Sequence, residues 1–194
     1  MVGVPGEDVG TLKNAGGVQL FPGDPARKRV PGMFQTQDSK GIPGTAEAGD
    51  RYGASVSLGI LDCQETISMA VGAPGEDIGK ATNAGSVTLS NRIVGKESGC
   101  PARLLRQGKG LPGSPETGDA LGTAVGTVSG NPDFEEDQYD VLLVGSPGED
   151  VGTGRTGRDV GRVTTRRAWK GITQSFGFTG GDWPNLRYGS AFGS

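Results

Sequence analysis

Histidine is absent from the 194 residues. Imidazole is the commonest general base near neutral pH and the commonest metal ligand, so its absence excludes Ser-His-Asp and Cys-His sites and every His-bearing zinc site. A hydrolase without it would need paired carboxylates or a lysine, and neither falls at a recognisable spacing. The chain therefore reads as non-enzymatic. Cysteine is scarce. Cys63 and Cys100 are too few for a disulfide framework and too few to ligate zinc unaided. They are either one disulfide formed in an oxidising compartment or two buried, small apolar side chains. No apolar stretch reaches the ~18 residues needed to span a bilayer, and no charged start followed by an apolar run marks a signal peptide. A basic patch is missing too. The net charge is −3 with the signs interspersed, so nucleic acid is not an expected partner. The most basic stretch, Arg155 to Lys170, reads as a solvated face.

Glycine and proline, by contrast, are abundant: 37 Gly and 12 Pro make about a quarter of the chain. Such a composition borders on low complexity unless these residues recur at fixed places in a repeating unit. They do recur. One heptapeptide appears three times, as Val2-Gly-Val-Pro-Gly-Glu-Asp8, Val71-Gly-Ala-Pro-Gly-Glu-Asp77 and Val144-Gly-Ser-Pro-Gly-Glu-Asp150. Downstream of it come Asn14-Ala-Gly-Gly-Val18, Asn83-Ala-Gly-Ser-Val87 and a looser Asp159-Val-Gly-Arg-Val163. Upstream of the second and third copies stand Glu47-Ala-Gly-Asp-Arg-Tyr-Gly-Ala-Ser-Val56 and Glu116-Thr-Gly-Asp-Ala-Leu-Gly-Thr-Ala-Val125, and Arg187-Tyr-Gly-Ser-Ala-Phe192 begins the phrase again. The units run over roughly 1–45, 46–115 and 116–180, with 181–194 the start of another. A repeat of this kind relaxes the need for one large core, because each unit packs on its neighbours.

Within a unit the pieces read as short strands divided by turns. Tyr52 to Leu58, Ile67 to Val71, Gly85 to Leu89, Ile93 to Val94 and Val141 to Val144 are apolar runs of strand length. Helical periodicity is nowhere sustained. In Gly-x-Pro-Gly the proline sets φ at a corner and the next glycine is free to take a positive φ, which leaves the Glu-Asp pair at an exposed rim. About four short antiparallel strands per unit, with turn residues in register, is the pattern of propeller blades. The fold expected is all-β, a β-propeller segment of about three blades forming an incomplete or open ring. A strand-bearing solenoid is the competing architecture, but its usual repeats are shorter.

Tyr52-Gly-Ala-Ser-Val56 and Val71-Gly-Ala-Pro-Gly-Glu-Asp77 resemble the two halves of an FG-GAP repeat, and the likeness spans nearly the whole chain. Such repeats build the propeller of integrin α subunits, and the phrasing here is most similar to long exported proteins of actinobacterial type. The resemblance implies an extracellular or cell-surface module for binding, adhesion or scaffolding, with a protein or glycan ligand. It also admits an alternative, an accessory propeller beside a phospholipase D-like hydrolase domain that this chain lacks, or a truncated remnant with no function of its own. Fold analogy alone does not carry function.

The resemblance further implies a calcium loop between the FG and GAP strands, where alternating oxygen ligands wrap a hard cation. Counting back from Gly145 places Asp133, Glu135 and Asp137 at the first three ligand positions. Val141 falls where the last carboxylate belongs, and Asp140, one residue early, substitutes for it if the strand bulges. These four are the candidate calcium ligands. The same count in the second unit meets Ile60, Asp62, Gln64 and Ser68, which should not bind calcium.

The chain opens inside a GAP strand and closes inside an FG strand. Ring closure between its own ends is not expected, because Gly53 to Gly72 takes 19 residues and Gly122 to Gly145 takes 23, whereas Gly189 through Ser194 to Gly3 supplies about eight. The expectation is a segment of a longer propeller whose unpaired outer strands invite self-association. Trp169, Phe176, Phe178 and Trp183 read as core of a degenerate blade, with an aromatic contact surface as the alternative.

Overall fold

The computed structural model describes residues 1–21, 32–61, 66–91, 100–128, 139–150, 162–167, 173–177 and 189–191, with backbone only at 163, 165–167 and 173–177. The described residues form twelve strands and no helix, hence none long and apolar enough to cross a membrane. In chain order they are β1 (Val2–Val4), β2 (Gly17–Leu20), β3 (Met33–Gln35), β4 (Ser55–Ile60), β5 (Ile67–Ala73), β6 (Ser86–Ser90), β7 (Arg103–Gln107), β8 (Gly110–Leu111), β9 (Ala124–Val128), β10 (Val141–Ser146), β11 (Arg162–Arg167) and β12 (Thr173–Gly177).

They pair into three sheets, β1-β2-β3, β4-β5-β6-β7-β8 and β9-β10-β11-β12, none of them closed. Each is an antiparallel meander except for the short parallel pair β7 and β8. Register follows the sequence repeat. Val4 pairs with Gly17, Ala73 with Ser86 and Ser146 with Arg162, so β1, β5 and β10 are equivalent, as are β2, β6 and β11. Four antiparallel strands are found in the third sheet, while the second adds the two-residue β8 and the first has three. The expected apolar run at Ile93 and Val94 lies outside the described residues. The expected strand at Tyr52 begins later, at Ser55, because Tyr52 is taken up in a parallel bridge to Gly16 of the preceding repeat.

Strand side chains alternate between faces, and β5 beyond Ile67 and β6 of the second sheet are buried on both. On one side Met69, Val71 and Ala73 of β5 join Val18 and Leu20 of the first sheet around Tyr52. On the other, Ala70, Val87, Leu89 and Leu105 meet Leu121, Leu142 and Val144 of the third repeat. Each such Leu or Val withdrawn from water contributes about 1.5–3 kcal/mol. Tyr52 is fully buried, with its hydroxyl accepting from Gln35 Nε2 at 3.3 Å. Sheet is thus stacked on sheet, and the contacts between sheets hold the stack together.

The glycines of the two motifs make this stacking close. A methyl group on Gly3 would collide with the carbonyl oxygen of Gly53, one on Gly72 with that of Gly122, and one on Gly145 with that of Gly189. The FG glycines take the left-handed region, with φ of +90° at Gly53 and +87° at both Gly122 and Gly189, so both halves of the motif need glycine for different reasons. The glycine after each motif proline departs from expectation. Gly6, Gly75 and Gly148 are not among the positive-φ residues. At Gly75 and Gly148 the reason is contact, since a side chain there would strike the carbonyls of Gly49 and Gly118.

Candidate functional site

Among the described residues, the most heavily built polar features are two joints between sheets. Each begins with the loop before an FG strand, which lays three backbone N–H groups on the Asn-Ala-Gly turn of the preceding repeat. In the first joint Gly49, Arg51 and Tyr52 donate to the carbonyls of Lys13, Asn14 and Ala15 at 2.9–3.0 Å. In the second, Gly118, Ala120 and Leu121 donate to Thr82, Asn83 and Ala84 at 2.9–3.0 Å. The turn is held open by asparagine in the left-handed region, at φ of +53° for Asn14 and +51° for Asn83, which asparagine tolerates better than most residues. The Asp of each Glu-Asp pair anchors it: Asp8 and Asp77 accept from the N–H of Asn14 and Asn83 at 3.0 and 2.8 Å.

The Glu of the pair does something else. Gln37 donates from Nε2 to Glu76 Oε2 at 2.5 Å, and Gln107 Nε2 donates to Glu149 Oε2 in the same way across the second joint. Beside each Glu lies an aspartate of the preceding loop. Asp50 and Asp119 are both 1% exposed and accept through Oδ2 from Glu47 N and Glu116 N at 2.6 and 2.7 Å. The expectation of an exposed Glu-Asp rim therefore holds for both Glu7 and Asp8 of the first copy, but in the later copies only for the aspartates. Asp77 and Asp150 are exposed, whereas Glu76 is partly buried and Glu149 is buried, because a glutamine of the neighbouring sheet covers each glutamate.

Burial raises the pKa of these acids. It lifts Asp50 to about 6, assisted by Glu47, Asp77 and Asp38, and Glu76 to about 7, where Asp50, Glu47 and Asp77 add to it against the Gln37 hydrogen bond. Asp119 rises to about 7, again chiefly by burial, with Glu149, Glu116 and Asp150 reinforcing it. Glu149 is also raised by burial, but Arg162 and Gln107 draw it back. Arg162 Nη1 sits 2.9 Å from Glu149 Oε1.

Of the four candidate calcium ligands, Asp133, Glu135 and Asp137 lie outside the described residues. Asp140 is held between sheets: its Oδ2 accepts from Ile60 N at 2.8 Å and its own N–H donates to Ile60 O at 2.9 Å. No group of three acidic or cysteine side chains among the described residues is placed to hold a metal ion. Cys100 is disulfide-bonded, and the chain's one other cysteine, Cys63, lies outside the described residues, as do Trp169, Trp183 and Phe178. A groove of about 460 Å³ on the first sheet is lined by Val2, Val4, Glu7, Gln19, Phe21 and Phe34. Gln37, Gln107 and Arg162 were not among the sequence candidates. The repeat marks the acids they bind, but the glutamines stand at different distances from the next shared phrase, Gln37 ten residues before Glu47 and Gln107 nine before Glu116.

No family model matches the chain, and no curated protein matches it.

Proposed function

We propose that this chain is a segment of an extracellular β-propeller of the FG-GAP type, serving as a non-catalytic binding, adhesion or scaffolding module. The observation that carries the reading is the joint itself: an FG glycine carbonyl seated on a GAP glycine, three times over, at Gly53 on Gly3, Gly122 on Gly72 and Gly189 on Gly145. This contact uses both halves of the motif at once, and its first two instances stack one sheet on the next. A disulfide at Cys100 suits an oxidising, extracellular compartment. In this reading the loops at one rim take a protein or glycan ligand, and Asp133, Glu135, Asp137 and Asp140 hold calcium.

Self-association belongs to the same reading. Val2 is 52% exposed on the first sheet, whereas its equivalent, Val71, is fully buried by the sheet before it. The face bearing Val2, Phe21 and Phe34 is then the surface that a further blade covers. Small-angle scattering tests the architecture, since wedge-like stacking about a common axis gives a compact profile and a solenoid a rod-like one. A rod would sink the propeller. Glycan and extracellular-protein arrays test the binding role, and retention of no ligand by the folded chain at micromolar concentration would argue against it.

A further inference from the structure

We propose that the first joint is a binding site for a hard cation, calcium by its chemistry, held by the Glu76 carboxylate with Gln37 Oε1 and Ser86 Oγ in the place that the Arg162 guanidinium occupies at the second joint.

The argument starts from register. Ser86 lies opposite Ala73 as Arg162 lies opposite Ser146, so the two residues hold the same position in successive sheets. In β6, Val87 and Leu89 point into the core shared with the third repeat. Alternation turns Ser86 and Thr88 the other way, toward the first sheet, where Gln37 and Asp50 lie. At the second joint this position supplies a positive charge to the glutamate. At the first it supplies a hydroxyl, and among the described residues no Lys or Arg pairs with Glu76.

Two buried oxygens at the first joint are left without partners. Ser86 is fully buried and its Oγ has no hydrogen bond; Gln37 is 1% exposed and, although its Nε2 reaches Glu76, its Oε1 has none. A buried polar atom left without a partner is destabilising, and a cation placed among these atoms satisfies both while neutralising Glu76. A half-turn of the Gln37 amide exchanges its N–H and oxygen sides, so the same side chain serves the joint with the ion or without it. At the second joint Gln107 Oε1 and Asp119 Oδ1 are likewise unpaired, but there the guanidinium already stands beside Glu149.

The donor set is carboxylate, amide oxygen and hydroxyl, with no nitrogen or sulfur, which suits calcium over transition metals. With no three acids among the described residues placed to hold a metal ion together, affinity belongs in the range of weakly charged sites, a Kd of about 10⁻⁴–10⁻³ M.

Thermal melting and calorimetry with CaCl2, using choline chloride at matched ionic strength as control, test this. The wild-type Tm should rise by about 3–10 °C at 10 mM calcium. Ser86→Arg, which brings its own cation, should abolish the rise, and Glu76→Gln should abolish it without a new charge if Ser86→Arg fails to fold. Asp133→Asn with Asp137→Asn should leave it intact, separating this site from the 133–140 loop. A Tm indifferent to calcium, the result if only ordered water fills the joint, overturns the proposal. So does a response that survives Ser86→Arg and Glu76→Gln and disappears in the Asp133/Asp137 variant.

Discussion

The two joints of this molecule share a backbone and differ in charge. In both, a loop hangs from an Asn-Ala-Gly turn by three hydrogen bonds, and a buried glutamine grips a glutamate of the next sheet. Among the described residues, only the second has an arginine on the other carboxylate oxygen. Glu76 consequently stands among Asp50, Glu47 and Asp77 with no cation of the described chain to offset them, whereas Glu149 is drawn back toward ionisation by Arg162. Identical hydrogen bonding can therefore coexist with opposite electrostatic solutions. Backbone geometry sets how sheets dock, and one side chain per joint decides how the buried charge is met.

The largest effect should come from removing what the joints share. Gly72→Ala places a methyl group against the Gly122 carbonyl, a backbone atom that cannot move aside, so the second joint should lose about 4 kcal/mol or more. Gly3→Ala should do the same to the first joint alone, and native-state hydrogen exchange would assign each loss to its sheet. Equal loss of protection at both joints from either variant would mean that the stack is one cooperative unit.

Next in size is Arg162→Ser, which gives the second joint the composition of the first. It strips the cation from a buried glutamate and should cost about 3 kcal/mol in calcium-free denaturant unfolding. A cost below about 0.5 kcal/mol would mean that the charge difference between joints is immaterial.

A pH series sharpens the same point. Asp119 has a folded pKa of about 7, above the ~3.9 of an unfolded aspartate. Its contribution to stability is thus fully present below about pH 4 and is lost as pH rises through 7. Asp119→Asn stays neutral throughout, so its Tm relative to wild type should climb between about pH 4 and 7 and level off above that. A constant offset would contradict the buried, protonated aspartate.

The smallest effect concerns the loops. Arg51 and Ala120 sit in the left-handed region at φ of +58° and +52°, a cost of about 1 kcal/mol for a residue with a Cβ. Ala120→Gly should stabilise by up to ~1 kcal/mol, less the entropy glycine adds to the unfolded chain. Destabilisation on urea unfolding would show that the Ala120 methyl packs usefully.

Much of the fold was legible in the residues because a repeat read three times is its own control. The strand runs at Ile67, Gly85 and Val141 sit where β5, β6 and β10 form, and the all-β class followed from their length and period. The glycines were legible as necessary but not in purpose. The one after the motif proline looked like a turn residue, whereas at Gly75 and Gly148 it answers a carbonyl from a distant loop. The polar joints were half legible: the acids recur in register, but Gln37 and Gln107 lie outside the shared motifs, Arg162 fills the variable position where Gly17 and Ser86 stand in the other copies, and nothing local marks them as partners.

What the sequence by itself determined is the alternation of short strands and turns and the recurrence of Gly and Asp at fixed places, since backbone freedom and period-two patterning are local properties. What only the tertiary structure decided is which glutamate is buried, which glutamine covers it and which joint carries an arginine. Those depend on groups separated by up to 42 residues in the chain that become neighbours only when one sheet is laid on the next.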